Sequence, residues 1–155
     1  GDPVGAQVGG AIKNVFAIAS GMIEGLGLGD NARAALISRG MAEMMRLGEA
    51  LGAERETLMG LSGLGDLILT CTSRQSRNYS LGLDLGRGRT IDEILNSRRT
   101  VAEGYHTAQA AQALAERLSI DMPISNAVYQ VVTARLSIAD AMAELLARPF
   151  TTEFY

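Results

Sequence analysis

From Gln7 onward the chain places apolar residues at Val8, Ile12, Val15, Phe16, Ala19, Met22 and Ile23, recurring every three to four positions. That period is the signature of an α-helix with one face in a core. A second stripe, Gly9, Lys13, Ala17 and Gly21, falls at steps of four and, Lys13 apart, is made of small residues. Small side chains keep a helix surface low, so another backbone or a ligand can approach it closely. Lys13 is the only charge between Asp2 and Glu24. It is either a lysine snorkelling at the edge of a core helix or an ammonium placed on that shallow surface for acid–base chemistry. The residues before the stripe, Gly1 to Gly5, read as a loop.

The remaining segments also read as helices. Gly25 to Gly29 alternates glycine with leucine, but it follows no strand and lacks the rest of a dinucleotide fingerprint, so it is an interhelical turn. Asp30 or Asn31 caps a long helix to about Leu51, with Leu36, Ile37, Met41, Met44, Leu47 and Leu51 inward and Gly52 as its stop. Met41, Met44 and Met45 fill core gaps, while Arg33 and Arg39 are expected to face solvent, with the cleft as the alternative. A short helix runs over Arg55–Met59. Tyr79 to Leu85 is helical until Gly86-Arg87-Gly88 breaks it, and Thr90 with Glu93 has capping-box spacing for a brief helix to about Ser97. Thr100 to Tyr105 is irregular. Alanine-rich Thr107 to Leu118 is helical; Ser125 caps Asn126 to Ala134, with Val128, Val131 and Val132 inward. Ser137 starts a last helix that ends before Pro149. With no hairpin signal, sustained alternation or internal repeat, the prediction is an all-α, compact multi-helix domain.

Composition narrows the function classes. A chain of 155 residues with 47% hydrophobic and 20% charged content is expected to be one soluble globular domain. A net charge of −3 gives no general attraction to nucleic acid, so any anion must be held locally. The one cysteine, Cys71, excludes an internal disulfide and reads as a small buried hydrophobe. With His106 the only histidine, no metal site is expected. No apolar run approaches the roughly 20 residues of a membrane span, and no signal peptide is visible.

The chemistry concentrates between Leu61 and Asn78. Gly63 and Gly65 lead to Asp66, which heads the run Leu67-Ile68-Leu69; Thr70, Cys71 and Thr72 follow, then Ser76-Arg77-Asn78. The apolar residues between are expected to be buried. A carboxylate at one end and a cationic cluster at the other make the wall of a site; alternatively, Asp66 caps a core helix and Arg77 is a solvated charge. Arg77 offers a planar fork that matches two phosphate oxygens, with Ser76 and Asn78 as neutral donors and helix amides beside them. Arg74 competes with Arg77 for that role.

Gly63-Leu-Gly-Asp-Leu-Ile-Leu-Thr-Cys71 followed by Ser76-Arg-Asn78 resembles the substrate half of the NAD(P)-dependent glycerol-3-phosphate dehydrogenases. Gly9-Gly-Ala-Ile-Lys-Asn-Val15, Asn31-Ala-Arg-Ala-Ala-Leu-Ile37 and Val101-Ala-Glu-Gly-Tyr105 are similar to further segments of that family, in the expected order. The resemblance implies the C-terminal helical domain of the 6-phosphogluconate dehydrogenase-like superfamily over residues 1–155, without the N-terminal nucleotide-binding (Rossmann) domain with which that family begins. It also implies an oxidoreductase interconverting sn-glycerol 3-phosphate and dihydroxyacetone phosphate, cytoplasmic and supplying phospholipid synthesis. Lys13 and Asp66 become the catalytic pair. Lys13, Asn14, Asp66, Thr70, Ser76, Arg77 and Asn78 become substrate ligands, and Arg77, Val101 and Glu103 touch NAD or NADP. The cofactor would be bound mainly by the N-terminal domain, itself a partner of this chain. A homodimer is compatible with this reading.

Two other readings start from the same residues. One is the helical substrate or dimerisation domain of another NAD(P)-dependent hydroxy-acid dehydrogenase, since an arginine does not separate phosphate from carboxylate. The other is a non-enzymatic helical interaction module, which predicts an apolar face without buried charges. An approach of Lys13 to Asp66 within salt-bridge or one-water distance, with Arg77 on the same wall, favours the enzyme; placement on opposite faces defeats the pair.

Overall fold

The structure, a computed structural model, describes residues 1–100 and 102–148. Among them are helices and connecting turns, with no strand. Helix α1 (Pro3–Gly25) is the axis, packed by α2 (Asp30–Ala50), α3 (Arg55–Met59), α4 (Asp66–Thr72), α5 (Arg77–Gly86), α7 (Glu103–Leu118) and α8 (Pro123–Val132); α6 (Ile91–Ser97) and α9 (Ile138–Ala147) lie outside it. All of the predicted apolar stripe from Ile12 to Ile23 is buried.

The shallow stripe meets backbone at both ends. A Cβ on Gly9 would lie 3.0 Å from the Ser62 carbonyl oxygen, and one on Gly21 only 2.1 Å from that of Tyr79. α5 answers with its own glycines: a Cβ on Gly82 would stand 1.9 Å from the Ile18 carbonyl oxygen. The two helices therefore touch main chain to main chain, which fixes their register. Lys13 sits between these two contacts, on the part of the stripe that stays accessible.

Several boundaries differ from the sequence expectation, each for a local reason. α1 starts at Pro3, because Asp2 accepts a hydrogen bond from Gly5 N at 2.9 Å and proline fits the first helical turn. Asp2 also accepts from Glu54 N at 2.7 Å, tying α1 to α3. Gly29, at φ 90°, precedes α2, so Asp30 occupies its first turn instead of capping it. Glu103 begins α7 in a stretch expected to be irregular. Ser125 lies inside α8, which starts at Pro123. The capping box at Thr90 and Glu93 and the cap at Ser137 stand as predicted. Pro149 lies outside the described residues.

The apolar run after Asp66 is only partly buried. Leu67 and Cys71 are in the core, but Ile68 is 46% and Leu69 66% exposed, and Leu61 before them is 88% exposed. A helix packed on one side can bury only every third or fourth residue, and α4 is packed on one side.

Candidate functional site

The site begins with a close-packed approach to Asp66. Gly63 passes so close to α3 that a Cβ would lie 1.9 Å from the Leu58 carbonyl oxygen. There the chain makes a π-helical turn, Leu61–Gly65, a geometry that recurs at functional positions. Asp66 emerges as the first residue of α4, and its carboxylate accepts a hydrogen bond from Lys13 Nζ at 3.1 Å. Both partners remain partly open, with side chains 22% and 43% exposed. The predicted approach of ammonium and carboxylate is thus present, on a surface and not in an interior. Thr70 lies one turn further along α4, half-buried.

The next residue on α1 carries the wall onward. Asn14 is buried, and its amide donates to the Glu103 carboxylate at 3.2 Å. Asn78 on α5, also buried, accepts from Gly104 N at 2.7 Å. A Cβ on Gly104 would be 2.7 Å from both Asn14 O and Asn78 Oδ1. No larger residue fits there, which gives the Glu103-Gly104 pair a physical role at the head of α7. Arg77 opens α5 beside Asn78 and donates to Thr100 Oγ1 at 3.1 Å. Lys13–Asp66, Asn14–Glu103 and Asn78–Gly104 with Arg77 therefore form one continuous wall. Val101, predicted beside the cofactor, lies outside the described residues.

Arg74 and Arg77 differ in their partners. Arg74 pairs with Glu24 of α1, which also accepts from the Tyr79 hydroxyl. Arg33, expected to face solvent, donates to that hydroxyl at 3.4 Å and pairs with Asp30 at 2.9 Å. The Tyr79 hydroxyl holds Glu24 below the usual carboxylate range, with Arg74 adding to the effect; burial, and then Glu24, push Tyr79 up. Arg77 is in none of the ion pairs among the described residues, whereas Arg74 is, so of the two the Arg77 guanidinium is the less committed. Ser76 caps α5, its hydroxyl oxygen accepting from Tyr79 N at 3.2 Å, which leaves its hydrogen for another acceptor.

Sequence reasoning missed two carboxylates. Glu24 entered the sequence reading only as the charge that ends the apolar stretch around Lys13. Glu43, wholly buried on α2, accepts from Ile124 N at 2.6 Å and Ser125 N at 3.3 Å at the start of α8, and burial raises its pKa to about 8. Its place inside the Met41–Met45 core segment was the available signal. Cys71 is buried and pushed up to about 12, which makes it inert as a thiolate. The described residues contain no group of side chains suited to a metal and no helix long and apolar enough to cross a membrane. A cavity of about 350 Å³ lies away from this wall, among α7, α8 and α9, with the Asp121–Arg148 pair at its rim. The Lys13–Asp66 pair marks the candidate site more specifically than this volume does.

Residues 2–143 match the family model described as NAD-dependent glycerol-3-phosphate dehydrogenase C-terminus. The chain is 62% identical over 152 residues to a glycerol-3-phosphate dehydrogenase [NAD(P)+] of Rhodospirillum rubrum, covering 98% of this chain and 44% of that protein. A crystal structure of glycerol-3-phosphate dehydrogenase from Coxiella burnetii superposes with a TM-score of 0.91 at 45% identity, over 95% of this chain and 45% of the other. The enzyme of Saccharomyces cerevisiae gives a TM-score of 0.84 at 29% identity, over 95% and 43%. The chain thus spans less than half the length of these relatives.

Proposed function

The chain belongs to the family of NAD-dependent glycerol-3-phosphate dehydrogenase C-terminal domains, and on that premise we propose that it is the substrate-binding and catalytic half of an enzyme interconverting dihydroxyacetone phosphate and sn-glycerol 3-phosphate. The observation that carries this reading is the Lys13–Asp66 pair at 3.1 Å, on one wall with Asn14, Asn78 and Arg77. In the reductive direction a carbonyl oxygen acquires negative charge as its carbon is reduced. Lys13 Nζ stabilises that charge and delivers the proton; in reverse, it takes the proton from the alcohol. Asp66 holds the ammonium in place, and Thr70 is positioned to contact the same substrate end. Arg77 grips the phosphate through two parallel hydrogen bonds, with Ser76 and Asn78 at the amide-rich start of α5.

NAD(P)H, when bound, supplies the hydride. Arg77 and Glu103, at the heads of α5 and α7, suit contact with one edge of such a dinucleotide. No strand–glycine loop–helix unit for its pyrophosphate occurs among the described residues. Most of the hold on the cofactor therefore falls to an N-terminal nucleotide-binding domain, for which the greater length of the relatives leaves room. The chain alone should accordingly oxidise neither NADH nor NADPH in the presence of dihydroxyacetone phosphate. Turnover by these residues alone would place the cofactor site among them. We further propose a cytoplasmic enzyme, a homodimer in its whole form, whose product feeds phospholipid synthesis.

The test of the catalytic pair is Lys13→Ala in an enzyme that joins this domain to its nucleotide-binding half. Loss of a general acid–base group should lower kcat by about 10²-fold or more, while KM for dihydroxyacetone phosphate, set mainly by Arg77, changes much less. Near-normal turnover would reduce Lys13 to a structural lysine.

A further inference from the structure

Glu24 lies eleven residues after Lys13 on α1 and takes no part in the proposed chemistry. Its carboxylate nevertheless reaches both flanks of the Ser76-Arg77-Asn78 segment. One oxygen takes the Arg74 guanidinium, three residues before Arg77, and the other takes the Tyr79 hydroxyl, two residues after it. The Tyr79 ring is buried against the core, so its hydroxyl cannot swing to another partner. The segment is fastened from two further directions. Ser20, one turn before Glu24, donates to the Cys71 carbonyl at 2.6 Å inside the core, which fixes the end of α4. Arg33 reaches the Tyr79 hydroxyl from α2 and is itself held by Asp30.

A surface ion pair alone contributes little to stability. A carboxylate with a buried tyrosine on one oxygen and an arginine on the other is a fixed point. The backbone contact of Gly21 and Gly25 with α5 leaves no slack between it and the segment. We propose that Glu24 is a positioning residue for the phosphate grip. By holding Arg74 and Tyr79 together it sets where Arg77 and Asn78 stand relative to Lys13, which the same helix carries. The inference rests on the reading of Arg77 as the phosphate ligand. It assigns Arg74 to the positioning apparatus and to no contact with substrate.

The test uses the chain itself, titrated with sn-glycerol 3-phosphate and followed by the backbone amide resonances of Arg77, Asn78 and Tyr79 well below the unfolding temperature. Glu24→Ala should weaken binding about tenfold, the scale on which a displaced binding group loses its ligand. Glu24→Gln, which keeps an acceptor for the tyrosine hydroxyl, should recover part of that loss, and Tyr79→Phe and Arg74→Gln should each lose part of it. If Glu24 only stabilises the fold, the folded population at that temperature binds as the wild type does, and the inference fails. If Glu24→Ala does not fold, the Tyr79→Phe and Arg74→Gln pair decides: unchanged affinity in both overturns the positioning role. Absence of saturable binding by the wild type, or wild-type binding by Arg77→Ala, overturns the phosphate grip itself and the inference with it.

Discussion

Gly82→Ala should lower the melting temperature of this domain by about 10 °C, for a cost on the order of 3 kcal/mol, the upper part of the usual range for overpacking. Its Cβ would stand 1.9 Å from Ile18 O, 2.8 Å from Ile18 C and 2.9 Å from Met22 N. All three are main-chain atoms of a helix, and none can rotate away as a side chain would. The helices must separate, which opens space around Phe16, Ile18 and Met22 in the centre of the core. Replacing a helical glycine by alanine is otherwise favourable by roughly 1 kcal/mol, so the measured loss understates the clash. Gly10, on the open side of α1 with nothing within 4 Å of its Cβ position, is the control. Gly10→Ala should leave the melting temperature unchanged or raise it. Thermal unfolding of the two variants by circular dichroism decides the matter. Equal melting temperatures would mean that α1 and α5 do not meet backbone to backbone.

That contact also explains why parts of the molecule were legible in the sequence. The spacing of Gly9, Ala17 and Gly21 forecast a close approach, because a low helix surface has few other uses. The sequence left open what would approach: a ligand and a second backbone make the same demand. Thr90 with Glu93 and Ser137 were readable because a cap is a local transaction between residues three apart. Ser125 was misread by the same logic, since proline at the first position starts α8 before the serine is reached. The apolar flanks of Lys13 and Asp66 leave each charge in need of a partner, and the family resemblance singled them out as a pair. Those flanks misled over Ile68 and Leu69, because burial of a helix face depends on what packs against it, and that is tertiary information. The partners of Glu24 and Glu43 were unreadable for a related reason. They lie 50 to 82 residues away, and although the core segment around Glu43 signals its burial, nothing nearby in the sequence announces what it binds.

Glu43 carries the other large expected effect, a dependence of stability on pH. Burial raises its pKa from 4.5 to about 8, against the pull of the Ile124 and Ser125 amides, with Arg46 also favouring the ionised form and Asp121 opposing it. In the folded chain Glu43 therefore keeps its proton up to about pH 8, whereas in the unfolded chain it loses it near 4.5. The native state binds the extra proton, so the free energy of unfolding falls as pH rises between those values. The contribution is complete below the unfolded pKa and is lost as pH climbs through the folded one, at most about 5 kcal/mol over the whole interval. The depressed carboxylates, Asp2 and Glu24, act in the opposite sense and lose their contribution only in acid, below this window. The melting temperature of the wild type should thus decline from pH 5 to pH 8.5. Glu43→Gln, neutral at every pH and able to accept from the Ile124 amide, should show a much flatter profile. Parallel profiles for the two proteins would mean that Glu43 is already ionised in the fold, held by the amides at the start of α8, whose capping then outweighs the cost of burying a charge.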